Sequence, residues 1–419
     1  MNLLILGMNY PPELTGIAPY TAGIAEHFAA LGHRVRVATT FPHYPGWQVE
    51  APYRGQWRCI EHCNAVEVRR GPVYLPGRRS TLQRVIYDTS LAASTLLNSI
   101  SAPRPDLIFC VSPPIQLGLT ASLLARRWGA PVILQVKDLP LDAAVAVGML
   151  HQGRAYRLGR ALERLVYRLA TRIVVISEGF RQNLLRQGAP PDRILEIPDW
   201  ADTDRVRPLP PDPALRGLAG ARSDDFLVLH TGNMGEKQGL ANALLAAAEI
   251  DGSMPFRLGL VGDGMDRSRL EALAEQRAIR NVQFLPLQPE AVFPRLLSSA
   301  DALLLNQRAD VIDSVAPSKL LSYMAAGRPV VAAVHADSEA ARVLRAAGGG
   351  LIVPPEDPAS LAAAFRRLAA DADLRAALGA AGHRYVETHY AREKVLARFE
   401  QLFAQYVRQQ PGHDVLVPA

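Results

Sequence analysis

Short apolar runs of four to six residues alternate along the whole chain with helix-length segments that are apolar on one side only. No other feature constrains the fold as strongly: the alternation predicts parallel strands joined by crossover helices. In the first half the expected strands are 2–6, 35–40, 66–69, 107–111, 132–136, 173–176 and 194–197, with helices such as 20–31, closed by Gly32, and 154–170 between them. A proline-rich stretch at 208–213 then reads as a linker. Beyond it the alternation restarts, with strands at 226–230, 256–261, 282–285, 302–305, 330–333 and 350–353 and helices at 240–249, 266–277, 318–326 and 358–369. An amphipathic helix over 391–407 closes the pattern, and no repeat of fixed period is visible. The expected class is α/β: two doubly wound domains facing a central cleft, 1–204 and 205–390. In such sheets ligands bind at the carboxyl ends of the strands, and the cleft is the default site.

Composition narrows the function classes. With 419 residues, 49% of them hydrophobic, the chain is not disordered. Three cysteines, Cys59, Cys63 and Cys110, make no disulfide scaffold, which points to a reducing compartment. The N-terminus has no basic region before its apolar run and reads as a strand, not a signal peptide. The stretch 107–125 is interrupted by Pro113, Pro114 and Gln116, so no membrane span is expected; the reading is a cytoplasmic protein, at most resting on a membrane. Net charge is +6, but residues 1–190 hold 21 Lys and Arg against 11 Asp and Glu, so the first domain is suited to an anionic surface or substrate. Of the 46 Lys and Arg only Lys137, Lys237, Lys319 and Lys394 are lysine. A lysine that persists in so arginine-rich a chain marks a position where a planar fork does not serve.

Three of those lysines fall in motifs. The loop after the second domain's first strand, His230-Thr-Gly-Asn-Met-Gly-Glu-Lys-Gln-Gly, is expected to open a helix. Its glycines, helix dipole and Lys237 suit a diphosphate, although glycine-rich strand–helix turns also occur without ligands. Pro317 and Ser318 mark another helix start, with Lys319 in its first turn. A cation there opposes the dipole unless an anion sits beside it; a solvated lysine is the other reading. Lys137-Asp138 ends a strand of the first domain and would orient or neutralise reacting groups, or simply form a structural contact. The turn after the first strand lacks the G-x-G-x-x-G spacing of a dinucleotide site, but Gly16 before a helix would let backbone approach a ligand.

Other signals are weaker. Cys59-Ile-Glu-His62-Cys63 has no second ligand pair at zinc spacing, and Asp202-Thr-Asp204 reads as loop acids. Arg154, Arg157, Arg160, Arg164, Arg168 and Arg172 form a basic stripe, with Leu158, Ala161, Leu162, Leu165 and Leu169 expected on the buried side. The stripe is a solvated face or a contact for anionic lipid heads. No Ser–His–Asp or Cys–His arrangement emerges, and the cations are not interleaved with stacking aromatics, which speaks against nucleic acid.

Five segments taken in order resemble the GT-B sugar transferases of retaining family 4: 7–21 (GMNYPPELTGIAPYT), 42–47 (PHYPGW), 197–202 (IPDWAD), 232–240 (GNMGEKQGL) and 317–332 (PSKLLSYMAAGRPVVA). Within that family the likeness is to bacterial exopolysaccharide enzymes, those of colanic acid biosynthesis. The resemblance implies two Rossmann-like lobes, the first binding the acceptor and the second a nucleotide-sugar, with a C-terminal helix, 391–419, crossing back to the first. It implies neither metal nor cofactor. By the same resemblance Lys137, Asp138, Lys237 and Lys319 are catalytic candidates. Gly16, Gly232, Asn233, Gly235, Gly262, Asp313, Ser318 and Ser322 would hold the donor, and Glu13, Thr15, His43 and Tyr44 would lie on the acceptor side. The chain departs from the family where a spaced glutamate pair is usual: Ser314 and Ser322 stand there, with Asp313 next to the first. Asn233 replaces a common arginine, and Lys137 a common histidine. The expected function is metal-independent, retaining transfer of a sugar, GDP-fucose being favoured over UDP-linked N-acetylated sugars, to a lipid-linked oligosaccharide at the inner membrane's cytoplasmic face. A sugar-nucleotide epimerase and a non-catalytic nucleotide-binding scaffold of the same fold are the alternatives.

Overall fold

The computed structural model describes residues 1–13, 16–44, 46–77, 80–146, 153–311 and 318–407. It consists of two units, Met1–Pro198 together with the chain from Leu396, and Asp199–Val395. The first is built on strands β1 (Asn2–Leu6), β2 (Arg34–Thr40), β3 (Cys59–Cys63), β4 (Val66–Gly71), β5 (Leu107–Ser112), β6 (Val132–Val136), β7 (Arg172–Val175) and β8 (Ile194–Glu196), in the order β3-β4-β2-β1-β5-β6-β7-β8. The second is built on β9 (Phe226–Thr231), β10 (Phe256–Val261), β11 (Val282–Leu285), β12 (Ala302–Asn306), β13 (Val330–Ala333) and β14 (Gly350–Val353), in the order β11-β10-β9-β12-β13-β14. Both are α/β units with parallel sheets, β3 alone running antiparallel. Central strands such as β5, β9 and β13 are buried at every position, as a sheet with helices on both faces requires. Strand order reverses beside β1, which lies between β2 and β5, and beside β9, which lies between β10 and β12. Loops leaving the carboxyl ends there diverge, and that leaves room for a ligand.

Strand β3 was not expected. Its residues alternate between half-buried and exposed, so it shows no apolar run. It is joined to β4 by Asn64 and Ala65, both at positive φ (49° and 64°), the two-residue turn that matches strand twist. Asn-Gly is the usual signal for that turn, and alanine hides it. The strand places Cys59, Glu61 and Cys63 on one face and His62 on the other, so the histidine does not converge with the two thiols.

The proline-rich stretch expected to be a linker is packed into the second unit. Val206 is buried, the Arg328 guanidinium donates to the Leu209 carbonyl (3.2 Å), and the Asp212 N–H donates to Ser299 Oγ (3.0 Å). The final helix, Arg392–Val407, carries Phe399 and Phe403 into the first unit's core. Phe403 stacks on Phe28 with ring centres 4.8 Å apart, and Phe399 meets Phe109 edge-on at 5.7 Å.

The arginine-striped helix, Arg154–Leu169, follows the expectation in part: Arg154, Arg157, Arg164 and Arg168 are exposed and Leu162 and Leu169 half-buried, but the two sides are not cleanly separated. Arg160 and Glu163 are buried and paired at 2.6 Å, with Asp142 also on the guanidinium, whereas Leu158, Ala161 and Leu165 are exposed. Gly159 faces inward instead, where an added Cβ would lie 2.8 Å from Leu141.

In the second unit two glycine turns cross. Gly262 has φ +144°, and a Cβ there would sit 1.9 Å from the Gly232 carbonyl oxygen. Gly16 also has positive φ, +63°, but nothing lies within 4 Å of its missing side chain. Gly262→Ala is therefore expected to destabilise by about 3 kcal/mol or more, through backbone displacement as well as strain. Gly16→Ala should cost only about 1–2 kcal/mol, the left-handed penalty alone. Denaturant unfolding of both variants checks this; equal losses would mean that the crossing relaxes freely.

Candidate functional site

The polar residues of the second unit gather where β9 ends. His230, its penultimate residue, is fully buried. Its Nδ1 lies 3.2 Å from the Leu304 carbonyl, and its Nε2 lies 3.2 Å from Lys319 Nζ. A carbonyl only accepts, so Nδ1 carries the proton, and Nε2 accepts from the lysine ammonium. Burial, reinforced by the Lys319 charge, pushes the histidine down to about 3, so it is neutral at any ordinary pH. Burial also lowers the Lys319 ammonium from 10.5 to about 8. The lysine lies along Gly232: an added Cβ there would come within 3.4 Å of both Cε and Nζ.

Hydrogen bonds hold this arrangement from below. Tyr323, one turn after Lys319 in the helix Ser318–Ala325, is fully buried and accepts from the Thr231 N–H (2.8 Å). Gly232 N–H donates to the Val261 carbonyl (2.7 Å), and Met234 N–H to the Asp263 carbonyl (2.8 Å). Arg267 clamps the Gly262 carbonyl at 2.7 Å. Gly232, Gly262, Ser318 and Lys319 therefore share the carboxyl edge of β9 and β10, around a cation whose partner among the described residues is a neutral buried histidine.

Lys237 is placed differently from expectation. The loop after β9 makes a short 3-10 turn, Glu236–Gln238, and the α-helix starts only at Ala241. Gln238 Oε1 accepts the Gly235 N–H (3.0 Å) and faces Asn233 Nδ2 (3.3 Å), which closes the turn on itself. Asn306, buried at the end of β12, then donates to the Gln238 and Gly239 carbonyls at 2.7 and 3.0 Å. Lys237 is exposed on this turn and not on a helix N-terminus. Ser322, at a usual glutamate position, turns its hydroxyl back to the Ser318 carbonyl (3.2 Å). Asp313, Ser314 and Pro317 lie outside the described residues, as does Thr15.

In the first unit Glu13 and the chain around His43 and Tyr44 form one cluster between the ends of β1 and β2. Glu13 is buried; its Oε1 accepts the N–H groups of His43 (3.0 Å) and Tyr44 (2.8 Å), and its Oε2 accepts from Asn9 (3.0 Å). The carboxylate thus ties two loops together. His43 in turn bonds the Phe41 carbonyl (2.8 Å) and the Tyr87 hydroxyl (2.8 Å), so its ring is also committed internally, while Tyr44 keeps an exposed ring. Arg70, which sequence reasoning passed over, lies fully buried beneath the same loops, on Glu61 (2.6 Å) and the Pro11 carbonyl. Lys137, at the end of β6, is buried with its ammonium 3.7 Å from the centre of the Tyr20 ring, a cation–π contact. Asp138 is exposed and accepts its neighbour Leu139's N–H (2.8 Å) at the start of the next helix. Gly16 is exposed in the turn before the helix Ala18–Ala30.

Among the described residues no group of three or more His, Cys, Asp or Glu is placed to hold a metal ion, and no helix is long and apolar enough to cross a membrane. Asp202 of the D-x-D segment accepts the Arg205 N–H (3.2 Å).

Residues 15–200 match the glycosyl transferase 4-like domain, and residues 213–385 match the glycosyl transferases group 1. The chain is 33% identical over 407 residues to the colanic acid biosynthesis glycosyl transferase WcaI of Escherichia coli, covering 95% of this chain and 98% of that one. It is 30% identical over 269 residues to a probable glycosyltransferase, WbjE, of Pseudomonas aeruginosa, covering 62% and 65%. The fold is similar to sucrose-phosphate synthase from Thermosynechococcus elongatus (TM-score 0.71, 19% identity, 98% of this chain and 100% of that one). It is also similar to WaaG, a glycosyltransferase involved in lipopolysaccharide biosynthesis (TM-score 0.65, 21% identity, 94% and 99%). Two parallel-sheet units, glycine turns at the end of β9 and a 33% sequence identity over nearly the whole length converge: the chain belongs to the GT-B glycosyltransferases that join a family-4-like domain to a group 1 domain.

Proposed function

We propose that this glycosyltransferase moves a sugar, fucose from GDP-fucose being favoured, with retention and without a metal, onto a lipid-linked oligosaccharide of exopolysaccharide synthesis. The observation that carries the reading is Lys319. Its ammonium lies against the bare Gly232 backbone, donates to a neutral histidine, and has no carboxylate among the partners described. Such a cation is short of counter-charge, and a nucleotide diphosphate supplies it. When the sugar–phosphate bond breaks, negative charge grows on the departing diphosphate, and a preplaced cation stabilises that charge more than the ground state. Exposed Lys237 adds a second cation from the neighbouring turn. In the proposed front-face course, the acceptor hydroxyl oxygen bonds to the anomeric carbon as the carbon–oxygen bond to phosphate breaks. The hydroxyl proton passes to the departing phosphate oxygen. The likeness to WcaI supports the exopolysaccharide setting, and the basic first domain, 1–204, suits a phosphorylated lipid acceptor on the cytoplasmic membrane face. The second domain, 205–390, would hold the donor.

Thermal unfolding with a panel of nucleotides and nucleotide-sugars tests the donor class, since a ligand that binds only the native state raises its stability. We expect a shift with GDP-fucose that magnesium does not change. A UDP-specific shift would replace the donor, and no shift with any member would leave the non-catalytic scaffold reading in its place.

Charge on Lys319 makes a second expectation. Its ammonium form binds the diphosphate and its free value is about 8, whereas His230 at about 3 and Tyr323, raised by burial to about 12, do not change charge near that pH. Nucleotide-sugar affinity is therefore expected to be level below pH 7. Above pH 8 it should fall, by up to about tenfold per unit, because binding must then take up a proton. Lys319→Met should weaken binding about 10- to 100-fold at pH 7, the loss of a charge-assisted contact, and flatten the profile. Calorimetric titration from pH 6.5 to 9.5 reads both; a flat wild-type profile would remove Lys319 from the diphosphate site.

A further inference from the structure

We propose that the outer face of three neighbouring helices in the first unit, Thr81–Ile100, Gln116–Trp128 and Arg154–Leu169, docks onto an anionic lipid bilayer. They follow β4, β5 and β6 and lead to β5, β6 and β7, so all three crossovers step the same way along the sheet. Right-handed crossovers place them side by side on one face. The helix Thr81–Ile100 buries Tyr87, Leu91 and Ala92, but from Ser94 onward it turns polar residues inward. Ser94, Thr95, Asn98 and Ser99 are buried toward the sheet, where Asn98 would meet any Cβ on Gly71 at 2.3 Å. Leu82 (69% exposed), Val85, Ile86, Leu97 (62%) and Ile100 face outward. This row extends over roughly 27 Å at 1.5 Å per residue. The middle helix continues the surface with exposed Leu123, Arg126 and Arg127. The third adds Leu158 (74% exposed) and Leu165 among Arg154, Arg157, Arg164 and Arg168, all exposed.

Single exposed leucines need no explanation, but helices that bury serine, asparagine and an ion pair while exposing leucine and isoleucine do. Charge names the occupant. The three helices contain two acids, Asp88, paired with Arg84 at 3.0 Å, and Glu163, buried on Arg160. The outward charge is thus carried by arginine, whose long stems lie along apolar surface while the guanidinium meets phosphate. A second copy would set arginine against arginine, and an anionic bilayer offers acyl chains and phosphates together. The inference rests on the lipid-linked acceptor proposed above.

Flotation of the full chain with vesicles of phosphatidylglycerol and phosphatidylethanolamine, against phosphatidylcholine alone, tests it. The wild type should float with the anionic vesicles and far less with the neutral ones. Two triple variants, Leu82→Gln/Val85→Gln/Ile86→Gln and Arg126→Gln/Arg127→Gln/Arg157→Gln, should each lose at least tenfold of the bound fraction. Their melting temperature and nucleotide response should stay as in the wild type. Wild type that stays unbound, or variants that float equally well, would overturn the proposal. So would a wild-type dimer that the apolar variant alone makes monomeric, since the face would then be a self-interface. Flotation lost as expected in a protein that answers to no nucleotide would support the surface and sink the transferase reading instead.

Discussion

A strand buried on both faces has no side chain to offer a solute; only the loops leaving its ends can meet one. This constraint organises the candidate chemistry in each unit. In the second unit β9 is apolar up to Leu229 and buried to Thr231, and polar function starts where the strand stops, at His230, Gly232 and the helix carrying Lys319. In the first, Glu13, His43 and Lys137 follow β1, β2 and β6 in the same manner. Their side chains largely brace the loops themselves. Glu13 holds two backbone amides, His43 a carbonyl and a tyrosine, and Lys137 an aromatic ring. Such bracing sets the shape of the loops at the carboxyl edge of the sheet.

The same constraint explains what could be read from the residues alone. A buried parallel strand is a continuous apolar run, so among the described residues thirteen of the fourteen strands announce themselves, with ends within two residues of the expected ones. The exception, β3, is the antiparallel edge, where one face is wet and an Asn-Ala turn replaces the usual glycine. The motif residues were legible as positions, because glycines and lysines at strand ends stand out. Their partners were not. Nothing local to His230 says that its ring reaches 89 residues along the chain to Lys319, or that Tyr323 supports Thr231 from the same distant helix. The 3-10 turn was hidden too, since Gly235 to Leu240 fits a helix cap equally well, although the helix itself starts at Ala241, one residue from the expected position.

The helices Thr81–Ile100 and Arg154–Leu169, which bury polar side chains and expose leucines, show where binary patterning misleads. Arginine at steps of three and four reads as the wet face only if every leucine has a core to enter. In the helix Arg154–Leu169 the inward side is instead completed by Gly159, Arg160 and Glu163, because Asp142 and Tyr156 supply partners that make a buried guanidinium tolerable. Once that face is occupied, Leu158 and Leu165 have nowhere to go but outward. Hydrophobic count cannot distinguish the two arrangements; only the pairing of the buried ions can.

The scarcity of lysine acquires a physical meaning at position 319. A guanidinium is planar, carries five donors in a fixed fork and stays charged in any protein setting. At Lys319 the cation must lie within 3.4 Å of the place a Gly232 side chain would occupy and still direct one proton at His230 Nε2, 3.2 Å away. A compact ammonium meets both conditions with donors left over for a ligand. A fork held edge-on to the histidine would project its other nitrogens across the glycine backbone, into the space the ligand needs. The lowered ammonium adds a second difference, because a lysine near 8 changes its charge within an accessible pH range, which arginine does not. Arginine, which makes up almost every other cation in this chain, would therefore not fit this arrangement, and the position is a lysine.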